Sequence, residues 1–371
     1  MAGMRYSDIV DYDKLDPFKE ESIRRLQKTL GNPERLGIHI VRESVGETAV
    51  AVDIGCGDFY LAFNIEGLGT KNMIAESMAE KGKIGQGIGL KRRALFSGLG
   101  LDEMAMTLND LTGIGSTPIL FEPIVATGDS DYLADPDRAA GLIDGFERGA
   151  AIAGVAIPGG ETPTLKGIVG AGTIDLAGAS MGIIRPKARL TTGDRLVKGL
   201  TIYGIASSGI HSNGVSLARR IAEKTKDGYF TKLPSGRTIG EALLTPTTIY
   251  SPFVEAMFGE GVNPIYMQPI TGHGWGKMMR KKLPFTYEIV ALPEPGEEFR
   301  FLQEQGPVEN EEAYRVWNMG VGLVVIASYA DGKNIQRSAE KCNLKSYQMG
   351  FVKEGDREVV IAPLGITYKP R

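Results

Sequence analysis

The spacing of apolar positions changes repeatedly along the chain, and each change predicts an element. Asp16-Pro17 reads as an N-cap followed by a first-turn proline, Ile23, Leu26 and Leu30 then share one stripe, and Gly31 can close that helix. Thr48–Asp53 and Tyr60–Ile65 are short apolar runs bounded by glycine and predict strands. Asp135-Pro136 opens a second helix whose face carries Leu142, Ile143, Phe146, Ala150 and Ala153, with Gly154 at its end. Further on, Leu196–Ala206 predicts a strand, Val215–Glu223 a helix, Val321–Ala327 a buried strand and Asp331–Lys341 a helix. Between the apolar Asp175–Ile184 run and Leu196 lies a polar segment with proline and glycine, which places a domain boundary near 185–192.

Length agrees with two domains, because 371 residues exceed the roughly 150 typical of one. A formal charge of −3 provides no global field for nucleic acid or anionic lipid, so any polyanion must be held locally. The first residues lack an apolar signal region, and the longest uncharged stretch, Gly199 to Ala218, is interrupted by Ser, Thr, His and Asn. Export and membrane insertion are therefore not expected. Cys56 and Cys342 have no zinc spacing and are too few for a disulfide framework, which points to a reducing cytoplasm. The 49 glycines are the anomaly, at about twice average usage. They fit either tight turns in an α+β protein with many short strands, or main chain that approaches a ligand closely.

Several motifs are decoys. No Gly-x-Gly pair has the third glycine of a dinucleotide fingerprint, and Gly272-His-Gly-Trp-Gly-Lys277 has the wrong spacing for a P-loop, with Met278 where a magnesium-binding hydroxyl would stand. Gly178-Ala-Ser-Met-Gly182 matches a nucleophile elbow, yet it lies within a strand-like run rather than at a sharp turn.

Four clusters carry chemistry. Glu66-Gly-Leu-Gly-Thr-Lys71 follows a strand and offers bared amides, a cation and a carboxylate. Asp102, Asn109 and Asp110 fall at helical spacing and form a set of hard oxygens suited to magnesium; the same pattern also fits a solvated acidic face. Gly159-Gly-Glu-Thr162 carries Glu161 on a loop after the apolar Val155–Ile157 run. Ser207-Ser-Gly-Ile-His-Ser-Asn-Gly214 runs from a strand end into a helix, where Ser212 or Asn213 can cap and free amides can receive phosphate.

In order along the chain, these clusters together with Ala126-Thr-Gly128, Leu244-Thr-Pro-Thr247, Ile270-Thr-Gly272 and Trp317-Asn-Met-Gly-Val-Gly322 resemble the aminoimidazole ribonucleotide synthetase family, also called phosphoribosylformylglycinamidine cyclo-ligases. The resemblance runs from Tyr6 to about Ile361. It implies a two-domain α+β protein: an N-terminal arm over 1–36, an ATP-binding and dimerisation domain over 37–188 whose sheets pair into a dimeric β-barrel, and a C-terminal α+β domain over 189–371. It further implies a cytoplasmic homodimeric enzyme of purine biosynthesis that uses ATP and Mg2+. ATP would phosphorylate the formyl amide oxygen of formylglycinamidine ribonucleotide, and the amidine nitrogen would close the imidazole ring as phosphate leaves.

Carried onto this chain, the resemblance makes Glu66, Asp102 and Asp110 metal ligands, and Gly67, Gly69, Thr70, Lys71, Asn109, Glu161, Ser212, Asn213, Thr271, Gly272, His273 and Asn318 the nucleotide and substrate contacts. His211 and Lys71 become the catalytic candidates, His211 because an imidazole can titrate near neutrality. The chain departs from the family pattern at Glu66, where Asp is usual, at Ser7, where Lys is usual, and at Pro269, where His precedes the Thr-Gly motif. Those departures keep open a paralogue that activates another amide or carbonyl oxygen, and a nucleotide-binding module without turnover.

Overall fold

The structure, a computed structural model, describes residues 4–10, 12–81 and 91–370. Met1–Gly3 of the expected arm lie outside the described residues. Two sheets organise the chain. The first has five antiparallel strands, β1 (His39–Ile40), β2 (Val50–Asp53), β3 (Tyr60–Gly67), β4 (Thr117–Thr127) and β5 (Ile174–Ile184), in the order β1-β2-β3-β5-β4. The second has seven, β6 (Thr201–Ala206), β7 (Tyr266–Pro269), β8 (Phe285–Ile289), β9 (Val321–Ala327), β10 (Ser346–Glu354), β11 (Glu358–Ile361) and β12 (Ile366–Tyr368), in the order β12-β11-β8-β10-β6-β9-β7. Only the β11–β8 pair of that sheet is parallel.

Five helices matter for the site: α1 (Tyr12–Leu26), α2 (Asn72–Lys81), α3 (Arg92–Gly113), α4 (Pro136–Ala153) and α5 (Val215–Ala222). Helix α4 follows its local signals closely. Asp135 accepts hydrogen bonds from the amides of Asp137 and Arg138, Pro136 occupies the first turn, and Gly154 closes the helix at φ 69°. Helix α3 is buried all round from Leu95 onward. Its contact with α4 depends on glycine, since a Cβ on Gly145 would stand 2.2 Å from the carbonyl oxygen of Ser97, and one on Gly100 would stand 2.5 Å from that of Leu142. A part of the glycine excess therefore serves helix packing rather than ligand approach.

Several expectations change. Helix α1 begins at Tyr12 and contains Pro17, and its stripe is no core face, with Ile23 56% and Leu26 60% exposed. An exposed helix tolerates the single i→i−4 bond that proline forfeits. Strand β6 starts five residues late, at Thr201, because Gly199 turns the chain at φ 85°. Val155–Ile157 forms no strand of its own: Ala156 and Glu161 bridge the edge of β4, and Pro158 and Pro163 cannot donate to a continuous ladder. The cap of α5 is Gly214 at φ 70°, not the side chain of Ser212 or Asn213.

Candidate functional site

Helix α3 carries buried Asp102, Glu103, Asn109 and Asp110, and polar groups in that position must find partners or be costly. Asp102 is fully buried. Its Oδ2 lies 2.8 Å from Lys71 Nζ, and its Oδ1 accepts from Lys71 Nζ at 2.9 Å, Thr247 N at 2.7 Å, Thr247 Oγ1 at 2.5 Å and Ser212 Oγ at 3.2 Å. Lys71 donates its next proton to the carbonyl of Thr245 at 2.9 Å. Asn109 clasps the same segment, donating to Thr248 O and accepting from Tyr250 N, each at 2.8 Å. Asn318 accepts from Ser207 Oγ and Gly320 N and donates to Gly209 O. Asp102 and Asn109 tie α3 to the segment from Thr247 to Tyr250 and to Ser212, and Asp102 and Lys71 have no exposed surface.

His211 belongs to the same buried layer, 3% exposed, in left-handed backbone at φ 62°, with its Nε2 accepting from Ser208 N at 3.3 Å. Burial, reinforced by the charge of Lys71, pulls its pKa down to about 3, so the ring is neutral at physiological pH. The expected titration near neutrality is corrected by that desolvation.

A large cleft of about 1550 Å³ opens on the other end of α3. Glu66 from the end of β3 and Asp110 from α3 line it, with Asn213, Thr271, Gly272 and His273 among the expected residues and Lys277 and Arg280 facing them. Burial raises the Glu66 carboxyl to about 7, helped by the adjacent charge of Asp110 and opposed by Lys277 and Arg280. Asp110 Oδ1 is buried without a hydrogen bond and lies 3.6 Å from Lys277 Nζ, while Lys277 donates to Thr271 Oγ1. Over the cleft runs the N-terminal segment, held by Met4 N to Gly306 O at 3.1 Å and Tyr6 N to Glu312 Oε1 at 2.8 Å, which brings Ser7 to its rim.

The remaining expected residues lie elsewhere. Gly67 ends β3, and Gly69 and Thr70 lie in the turn after it, pinned by Thr70 Oγ1 to Ser216 Oγ at 3.0 Å at the start of α5. Glu161 is exposed beside β4, where its backbone brackets Pro123 and Val125, outside the cleft lining. Ser180 of the elbow-like motif is buried in β5, away from any sharp turn. Reading by motif missed Lys277, Arg280 and Glu103. Lys277 ends the segment set aside as a failed P-loop and Arg280 lies three residues beyond it, and no local signal distinguishes them from surface charges. Both oxygens of Glu103 are buried without a partner, and burial, with the charges of Glu66, Asp175 and Asp102, raises its pKa well above the carboxylate range.

A divalent ion suits the cleft through Glu66 and Asp110, since magnesium typically takes one or two carboxylates with phosphate oxygens and water completing its shell. Among the described residues no group of three or more His, Cys, Asp or Glu side chains is assembled to hold a metal. Asp102 does not join the pair, because it is fully buried, ion-paired with Lys71 and outside the cleft lining.

Residues 46–184 match the AIR synthase related protein N-terminal domain, and residues 197–363 match its C-terminal domain. The chain belongs to the AIR synthase family. Relatives within it include the phosphoribosylformylglycinamidine cyclo-ligase of Methanocaldococcus jannaschii, 35% identical over 86% of this chain and 83% of that protein. Those of Carboxydothermus hydrogenoformans, 32% identical over 83% and 84%, and Methanosarcina acetivorans, 36% identical over 80% and 82%, are similar at the same level. The family consists of ATP-dependent enzymes. Its fold extends to more distant structures. AaThiL complexed with AMPPCP and TMP has a TM-score of 0.60 at 15% identity, over 100% of this chain and 98% of that one. E. coli HypE, a hydrogenase maturation protein, has 0.58 at 16%, over 84% and 85%. The two-domain α+β expectation thus agrees with the family.

Proposed function

We propose that this protein is the ATP-dependent cyclo-ligase that converts formylglycinamidine ribonucleotide to aminoimidazole ribonucleotide, with Mg2+ held at Glu66 and Asp110. The supporting observation is a cleft that sets two carboxylates against two cations, in a chain related over most of its length to named cyclo-ligases. ATP, when bound, supplies the phosphoryl group that makes an amide oxygen a good leaving group. The chain's own task is to neutralise that phosphoryl group, keep the cleft ordered and bring the amidine to the activated carbon. Asn213, Thr271, Gly272 and His273 line the space for substrate. The buried Asp102–Lys71 lock holds α3 at the angle that presents Asp110.

A homodimer fits the outward face of the first sheet. Phe63 and Ile65 are 47% and 58% exposed and pair across to Met181 and Ala179, which makes an apolar surface suited to a second copy. Among the described residues no helix is long and apolar enough to cross a membrane, and we place the enzyme in the cytoplasm.

The test is to add ATP, Mg2+ and formylglycinamidine ribonucleotide to purified protein and follow the aminoimidazole. Ring formation with stoichiometric ADP is expected. ADP without imidazole would instead indicate a paralogue acting on another substrate, and thermal stabilisation by nucleotide without ADP a binding module.

A further inference from the structure

The 3-10 helix Gly274–Met279 places Lys277 and Arg280 three residues apart, and in that geometry residues i and i+3 nearly eclipse, so both side chains reach the same wall of the cleft. Lys277 is only 9% exposed, and a buried ammonium is costly unless its charge is matched. It forms a loose ion pair with Asp110 Oδ1 at 3.6 Å and donates to Thr271 Oγ1, so its charge is held far less closely than that of Lys71. Arg280 is exposed, and its guanidinium makes no hydrogen bond or ion pair among the described residues. Two other cations on the lining have partners: Arg315 pairs with Glu311 at 2.6 Å, and Arg357 donates to the carbonyl of Met279 at 2.9 Å. Gly272 and Gly276 flank the lysine, and no atom lies nearer than 3.8 Å to where their Cβ would be, so the wall stays open to a bulky group.

We propose that Lys277 and Arg280 form a phosphoryl-binding subsite, which grips an oxyanion standing against the Glu66–Asp110 carboxylates. The inference deepens the ATP-dependent reading above and rests on it for the identity of the ligand; the grip itself rests on the unpaired guanidinium of Arg280 and the loosely paired ammonium of Lys277. Phosphoryl oxygens could come from the nucleotide or from the phosphoribosyl group, and fork-shaped Arg beside a point-charge Lys suits either.

Calorimetric titration of the full chain with magnesium tripolyphosphate and, separately, with ribose 5-phosphate tests this. Lys277→Met should weaken one of the two probes by at least about tenfold, the loss expected for a charge-assisted hydrogen bond, while Lys277→Arg should retain most of the binding. Arg280→Met, at an exposed position that tolerates change, should weaken the same probe, and Lys198→Met, on the distant surface, should not. Which probe responds names the source of the phosphoryl group. Unchanged binding of both probes to Arg280→Met overturns the proposal even if Lys277→Met fails to fold, and so does equal weakening by Lys198→Met. Wild-type protein that binds tripolyphosphate but closes no ring would refute the cyclo-ligase reading and leave this subsite standing.

Discussion

Two aspartates of α3 each pair with a lysine from elsewhere in the chain, and the two pairs behave as opposites. Lys71–Asp102 is fully buried, close at 2.8 Å and braced by Thr247 and Ser212 on Oδ1, so it cannot exchange a partner without loosening α3 from the segment around Thr247. Lys277–Asp110 is looser at 3.6 Å, borders the cleft and shares its space with Glu66. Two helical turns separate Asp102 from Asp110. What differs is the surroundings: one pair faces packed main chain, the other an open volume. A close, fully enclosed pair is a fastener, while a looser pair beside a cavity can take a ligand.

Removing a partner from the fastener should have the largest effect. Asp102→Ala leaves the Lys71 ammonium buried and unpaired, and is expected to cost about 3–5 kcal/mol of stability in chemical denaturation. A loss below about 1 kcal/mol would contradict the assigned role. In the cleft the balance reverses: Asp110→Asn should lower ATP turnover on the order of 100-fold, with a thermal midpoint near wild type. A fold as damaged as that of Asp102→Ala would erase the distinction between the pairs.

Glu66 allows a finer test in pH. Its folded pKa, raised to about 7, lies above its unfolded value, so ionisation is disfavoured in the folded state. The cost is absent below the ordinary pKa of 4.5, grows as pH rises from there to about 7 and is complete above it. In chelator, Glu66→Gln should therefore stabilise the protein at pH 8, on the order of 1 kcal/mol, and should make no difference at pH 4. Equal melting temperatures at both pH values would remove Asp110 and burial as the causes. The smallest effect belongs to Glu161→Ala, which alters an exposed side chain outside the cleft and should leave turnover within about twofold of wild type.

Local chemistry determined much by itself. Asp135-Pro136 and Gly154 bounded α4, the glycine-flanked apolar runs became β2, β3, β5 and β9, and ordered motifs spread over the whole chain pointed to the family that the relatives share. Those signals act within a few residues or repeat along an element, so a linear string records them. Which polar residues meet was decided only by the fold. Asp102 and Asp110 look alike in sequence, and so do Lys71 and Lys277, yet burial, hydrogen-bond saturation and cavity shape are set by contacts between residues more than a hundred positions apart. Desolvation of His211, and the gathering of Lys277 and Arg280 opposite Glu66, arise from that same long-range packing, because electrostatic environment belongs to a place in space rather than to a stretch of chain.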